Sequence, residues 1–531
     1  MSVRAIPALA LAVTILSLGA CGGGGGSTSS ASDPAAAVPA NAAVFVEAAV
    51  RPRGDLEAAL RTSLGKLLGT GDPGAKIVAA FDRTNRGNHI TYERDLRPWL
   101  GERAAIFVQS FQSDPVGVAE TTDPKTAVAS FRKAAVADGH APHSTSYRGV
   151  TIEQARGDSF TTVGSLALIG SKSGIEAAID ATKGSSLANS EAYASSVSDV
   201  PSDNVFTAWA DPKRVIAALV RERQLPSAAA ARVRSQLGSL ATQPAVLWGD
   251  ASPSYLAVEA SAASSPAVAT QQSSSLLGTL PADAWLAFAV HETAQQVKRS
   301  FGESSAAASF GARSPALLRA LSQLGLDPAT LSKWVGSVSG FLRGESILGL
   351  GGALVVETRD QAASADTLAR IEAALRRDRD VVIQPLGGGR KGYTMTPRGA
   401  PIQVVFTQRD GKVVVGLGQD SVNAALNPPR PLSSSGMFKA AAGALGSGIS
   451  PELYLDFQPL ASLFEIPGVI TDPQFGQVKP YLERLNYLVA GTGESGGRVL
   501  VRIALGVRSG GRSGSGQISG AGLPSYAAIH P

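Results

Sequence analysis

Cysteine is all but missing from this chain: Cys21 is the only one in 531 residues. A single thiol permits no intramolecular disulfide and no thiolate zinc site, so the fold must rest on ordinary core packing. Long apolar runs are missing as well. After the N-terminal stretch, nothing approaches the ~20 consecutive apolar residues that span a bilayer as a helix. Charge of one sign is nowhere concentrated. Lysine and arginine number 48 against 43 acids, a net of +5, and the densest basic stretch, LRRDRD at 375–380, is interrupted by acids. Nucleic-acid binding needs clustered cations with stacking aromatics. Neither is present, so no nucleic-acid partner is expected. What the chain does have is 44% hydrophobic residues, enough to fold. Its length exceeds one ordinary core and implies two or three domains.

The first residues answer why the one cysteine stands where it does. AIPALALAVTILSLGA (5–20) is an apolar run ending in small residues, the pattern of a signal-peptide core. Leu18-Gly19-Ala20-Cys21 resembles a bacterial lipobox. The thiol would take a diacylglyceryl group, and the small residues before it would admit the peptidase that cleaves ahead of Cys21. Two or more acyl chains on one residue anchor stably where one chain is marginal. GGGGGSTSSASDPAAA follows, and Gly and Ser of this kind form a flexible coil. Residues 21–37 would hold the body on the order of 20 Å from the lipid. The expected location is the extracytoplasmic face of the membrane.

Self-similarity is the next signal. VPANAAVFVEAAV (38–50) is echoed by LPADAWLAFAV (280–290), and PWLGERAAIFV (98–108) by KWVGSVSGFL (333–342). YRGVTI (147–152) pairs with RKGYTM (390–395), and GSLALIGSKSGIEAAI (164–179) with GKVVVGLGQDSVNAAL (411–426). VFTAWADPKRVIAAL (205–219) pairs with LYLDFQPLASLF (453–464), and YLAVEASA (255–262) with VLVRIALG (499–506). Six pairs in one order predict a tandem duplication of a unit of roughly 230 residues. The expected organisation is a signal peptide (1–20), a tether (21–37), unit 1 (38–262), a Ser/Ala/Gln linker (263–277), unit 2 (278–507) and a Gly/Ser-rich tail (508–531).

Within each unit the patterning mixes helices and strands. Asp123 is placed to cap a helix opened by Pro124 and carrying Val128, Phe131 and Ala135. In unit 2, Ser364 or Asp366 would cap a helix carrying Leu368, Ile371 and Leu375. Val413–Val415 and Leu453–Leu455 read as strands. Strict β–α alternation is absent, so the predicted class is α+β with mainly antiparallel sheet.

Motifs that resemble chemistry are incomplete. GLGQDS (416–421) echoes a dinucleotide fingerprint, but Ser421 stands at its third glycine, and the aligned residues of unit 1 are Ile169, Ser171 and Gly174. GESGG (493–497) satisfies G-x-S-x-G at Ser495, yet a strand follows it where a nucleophile elbow needs a helix. HETAQ (291–295) has Gln295 where the second imidazole of a zinc helix belongs, so His291 has no mate. HAPH (140–143) offers two imidazoles and no third ligand. No spacing singles out a carboxylate pair for acid–base work. Trp99 and Trp334 occur in both units beside a glycine and read as core anchors. No catalytic residue, cofactor or metal is assigned.

The lipobox together with PANAAVFVEAAVRP, DLRPWLGERAAIFV and the second LPADAWLAF resembles a family of uncharacterised actinobacterial lipoproteins built on a domain of unknown function, across residues 38–508. Unit 2 departs from that pattern at Lys333, which replaces the proline of RPWLG. The resemblance implies an extracytoplasmic, lipid-anchored protein without an assigned reaction. The functional expectation is a non-enzymatic envelope lipoprotein, held to the membrane through Cys21, that binds an envelope protein, a cell-wall polymer or a lipid. The alternative is the substrate-binding lipoprotein of a transporter, and less so a hydrolase with an unrecognised site.

Overall fold

The structure is a computed structural model that describes residues 33–88, 90–112, 115–264, 276–290, 328–346, 349–388, 390–463 and 473–508. It is an α+β fold built on a 20-stranded sheet, and every strand pairing in it is antiparallel. Among the described residues no helix is long and apolar enough to cross a membrane.

The N-terminal half contributes β1 (Val44–Ala49), β2 (Leu100–Val108), β3 (Val116–Thr121), β4 (His143–Tyr147), β5 (Val150–Ala155), β6 (Asp158–Val163), β7 (Leu166–Gly170), β8 (Phe206–Ala210), β9 (Ala245–Ser252) and β10 (Tyr255–Ala263). Their order in the sheet is β4-β5-β6-β7-β3-β2-β1-β8-β9-β10. The C-terminal half contributes β11 (Ala284–Val290), β12 (Val335–Arg343), β13 (Gly351–Thr358), β14 (Val381–Pro385), β15 (Gly392–Pro397), β16 (Val404–Arg409), β17 (Lys412–Leu417), β18 (Ile449–Asp456), β19 (Leu485–Ser495) and β20 (Arg498–Val507). These follow the same plan, β14-β15-β16-β17-β13-β12-β11-β18-β19-β20. The halves join where β10 pairs with β20, Tyr255 opposite Gly506 and Ala263 opposite Arg498.

Equivalent backbone bonds recur in the two halves. In the first, Ala40 donates to the Ser185 carbonyl and Leu187 to that of Val38; in the second, Ala282 donates to Arg430 and Leu432 to Leu280. Leu187 and Leu432 are fully buried. The two Pro-Ala-Asn/Asp stretches are therefore clamps that tie the entry of each half to the segment after its β7- or β17-linked helix. The Trp carbonyls match as well. Thr122 donates to Trp99 and Arg359 to Trp334, each at 2.8 Å. Gly101 and Gly336 follow because a Cβ there would lie 2.4 Å from the Glu120 Cβ and 2.7 Å from the Glu357 carbonyl oxygen.

Two layers of side chains fill the first half. Phe45, Phe107, Leu168, Trp209 and Trp248 form one core, and Ala48, Phe81, Tyr92, Trp99 and Ala119 form a second. Phe45 and Ala48 are an odd number of residues apart on β1, so the cores lie on opposite sheet faces. In the second half Ala287, Phe341, Val414, Tyr454 and Val489 form a single large cluster.

Three expectations change. The tether was placed at 21–37, but Pro34–Ala37 form a 3₁₀ turn whose Ala35 and Ala37 are buried in the first core. Asp33 accepts from the Ala35 N–H at 2.8 Å, and Pro34 occupies the first helical position. Asp-Pro is a helix-start pair, and the alanines are small enough to pack closely. Folded structure is thus present by Asp33. In the second half the helix is Gln361–Leu375, capped by Asp360 and not by Ser364 or Asp366. The Asp360 side chain accepts from the Ala363 N–H, while Ser364 is buried inside the helix and donates to the Gln361 carbonyl. The linker also narrows, since Ala263 ends β10 and Leu277 is fully buried. The first-half helix matches its expectation: Asp123 accepts from Lys125 and Thr126 and caps Pro124–Ala137. Tail residues 509–531 lie outside the described residues.

Candidate functional site

The residues singled out for anchoring, Leu18, Gly19, Ala20 and Cys21, lie outside the described residues, as do His291 and Gln295. Ser495 is the last residue of β19, opposite Arg498, with Gly496 and Gly497 as the hairpin loop. Their φ values of 56° and 73° suit the primed turns that connect strands through two residues. No nucleophile elbow exists there. GLGQDS is a strand-to-helix junction in which β17 runs into the helix Gly418–Leu426. Ser421 is buried there, donating to the Leu417 carbonyl and accepting from the Gly352 N–H. His140 lies against Arg156 at 3.2 Å, whereas His143 opens β4 opposite Gln154. Among the described residues no group of three or more His, Cys, Asp or Glu is arranged to hold a metal ion.

A recess that the motif search missed forms on the first half. The helix Pro73–Thr84 starts at Asp72, which accepts from Ala75 at 2.9 Å, and buries Phe81 in the second core. Its outer side carries Ala79, Asp82 and Arg83, and the chain then turns through Arg86 and Ile90 into a π-helical turn, Tyr92–Leu96. One bond ties the turn to the helix, and two more close the turn on itself. The Tyr92 N–H donates to Asp82 at 2.8 Å, and Thr91 donates to Asp95 through both its N–H, at 2.8 Å, and its hydroxyl, at 3.2 Å. Between helix and turn lies a cavity of about 480 Å³, lined by Ala79, Asp82, Arg83, Arg86, Ile90, Thr91 and Arg94.

The electrostatics of the recess are one-sided. Asp95, buried behind it, receives Arg94 at 3.0 Å and Lys133 at 2.5 Å. Burial alone would push its carboxyl up, but the bonds from Arg94, Lys133 and the Thr91 N–H hold it well below the usual carboxylate range. Asp82 is committed to the Tyr92 N–H. Arg83 and Arg86 are exposed, and their side chains make no hydrogen bond or ion pair among the described residues. Three arginines and one aspartate thus line the cavity. This arrangement can hold an anion. Among the described residues lining it, the one hydroxyl, that of Thr91, is bonded to Asp95.

The sequence signal was present in FDRTNRGNHITYERD. Arg83, Arg86 and Arg94 are too widely spaced to form a charge run, and only the reversal of the chain after Thr84 collects them. The second half does not repeat the Arg94–Asp95 pair. Counting back from Trp334 as from Trp99 puts Ala329 and Thr330 at the places of Arg94 and Asp95.

Two other charged clusters hold the sheet together. Glu47 on β1 is paired with Arg103 on β2, and Arg103 also donates to Asn204 at 3.2 Å. Burial pushes the Glu47 carboxyl up, against the pull of Arg103. At the β10–β20 join, Arg502 meets Glu259 at 2.7 Å and Asp250 at 2.5 Å and donates to the Ala444 carbonyl at 3.0 Å. All the partners in both clusters are consumed internally.

With this geometry in hand, comparison with known proteins is informative at one level. The family described as "Protein of unknown function (DUF3352)" matches residues 8–495. The chain belongs to that family. No curated protein matches this DUF3352 chain. Among solved structures, "Structure of crystal form I of TP0453" is 9% identical, with a TM-score of 0.25, over 44% of this chain and 79% of that one. "Structure of crystal form IV of TP0453" is 11% identical, with a TM-score of 0.24, over 44% of this chain and 80% of that one.

Proposed function

We propose that this DUF3352 protein is a lipid-anchored envelope lipoprotein on the extracytoplasmic face of the membrane, with a non-enzymatic binding role. Its anchor is Cys21 within Leu18-Gly19-Ala20-Cys21, after an apolar leader and before a glycine run. Its ligand is anionic. The observation that carries the binding role is the recess of Arg83, Arg86 and Arg94, two of whose guanidinium groups have no partner among the described residues. Arginines without a protein partner around a recess are free to contact an anionic ligand. The matching strand orders and recurrent hydrogen bonds of the two halves support a tandem duplication.

The transporter reading is less well supported. Two lobes that trap a ligand need a cleft between them, and here β10 and β20 close the join with a continuous ladder. The anchor is tested by Cys21→Ala in cells fed labelled fatty acid. Loss of label and release from the membrane fraction are expected, and retained label refutes the lipobox. The binding role is tested by titrating the purified chain with small anions, where a complete lack of anion binding refutes it.

A further inference from the structure

We propose that the recess between the helix Pro73–Thr84 and the turn Tyr92–Leu96 is a site for a phosphate ester. This rests on the reading of the recess as an anion site and adds the class of anion.

The argument begins with donor number. One guanidinium satisfies one carboxylate through two parallel N–H···O bonds. Here Arg83 and Arg86 are both unpaired, and Arg94, although bonded to Asp95, lines the same cavity. A tetrahedral phosphoryl group, with three oxygens beyond its ester link, can accept from several forks at once where a planar carboxylate cannot. The cations are all arginine, with no lysine in the lining, which suits planar bidentate recognition over a diffuse point charge. Asp82 would repel an anion, but it is turned to the Tyr92 N–H, so the lining keeps a net charge of +2 (Arg83, Arg86 and Arg94 against Asp82).

Shape supplies the rest. A cavity of about 480 Å³ is far larger than a bare phosphate needs. Ala79 and Ile90 give it an apolar patch, where the organic group on the ester oxygen would lie. The turn side of the recess is braced. Phe81, Tyr92 and Trp99 are buried behind it, and Asp95 ties Thr91, Arg94 and Lys133 together.

Such a phosphate could belong to a lipid headgroup or to a soluble ester, and the test separates them. The full unacylated chain is titrated with glycerol 3-phosphate and with acetate, and co-sedimented with vesicles of phosphatidylglycerol or phosphatidylcholine. Glycerol 3-phosphate is expected to bind at least tenfold more tightly than acetate, and R83Q/R86Q to weaken it at least tenfold. Arg97, paired with Glu93 outside the recess, supplies the control R97Q, which leaves binding unchanged. Both arginines of the test pair are exposed, so an unchanged melting temperature will confirm that the variant is folded. Sedimentation with phosphatidylglycerol alone, competed by glycerol 3-phosphate, assigns the lipid source; ester binding without sedimentation assigns the soluble one. Equal binding of acetate and ester overturns the phosphate class while leaving an anion site. Ester binding that survives R83Q/R86Q overturns the site. No binding of either anion overturns both readings.

Discussion

Glu259 and Arg502 face each other across the β10–β20 ladder with their charged groups 2.7 Å apart, and each is the fifth residue of its strand. The two edge strands thus meet at the join with opposite charges facing each other at this pair. Two copies of the first half placed edge to edge in this register would oppose Glu to Glu, and two of the second half Arg to Arg. The pair therefore specifies which edge meets which.

Glu259→Arg is expected to lower stability by about 3 kcal/mol, the scale for breaking a buried ion pair by replacing one partner. The swapped double variant E259R/R502E should regain at least half of that loss, with Asp250 free to pair with the new arginine. Urea denaturation of the four proteins in the cycle measures the coupling. A double variant no better than E259R would show that the charge pattern does not select the edge.

Gly101→Ala and Gly336→Ala are expected to cost about 1–3 kcal/mol each, because the added methyl collides with Glu120 or the Glu357 carbonyl. Gly71, which has nothing within 4 Å of a built Cβ, is the control, and its alanine variant should melt unchanged. Thermal melts of the three variants check this.

Asp95 sets a pH dependence. Its folded carboxyl titrates below its unfolded value, so the stability it contributes is present above about pH 4 and is lost as pH falls toward the folded value. Asp95→Asn should cost roughly 1–3 kcal/mol at pH 7, through the weakened bonds from Thr91, Arg94 and Lys133. The difference from wild type should shrink steadily below pH 4. A constant difference down to pH 2 would contradict the assignment.

The hairpin at Ser495 separates chemistry from geometry. Ser495→Ala should leave stability within about 0.5 kcal/mol, as for an ordinary surface substitution. Gly497→Val should cost at least about 1–2 kcal/mol, since a branched residue tolerates φ near +73° poorly. Chemical denaturation distinguishes the two.

Much of the fold was legible because it is written locally. Asp123-Pro124 announces a helix through its own side chain, and short apolar runs mark β1, β17 and β18. The repeated Pro-Ala-Asn/Asp and Trp-x-Gly stretches stood out because each serves the same backbone clamp twice. What escaped depends on distant partners. Asp360, Ser364 and Asp366 are all good caps, and only the Ala363 N–H decides between them. A strand such as β10 marks its buried face but says nothing of which edge it will meet. The recess escaped for the same reason. Its three arginines converge through a turn held by Asp82 and Asp95, whose role as backbone acceptors leaves no pattern in the sequence.

The join between β10 and β20 also settles what becomes of the sheet's margins. With it made, the described ladder ends at β4 and β14 alone. β4 reads HSTSY and is largely exposed and polar, while β14 ends in Pro385, which cannot donate to another strand. Separated, each half would instead present a margin of nine or ten residues, YLAVEASAA or RVLVRIALGV, long and mostly apolar, with Glu259, or Arg498 and Arg502, as its only charges. Each half is thus the other's protection against self-templated aggregation, and a chain cut after residue 264 would forfeit it.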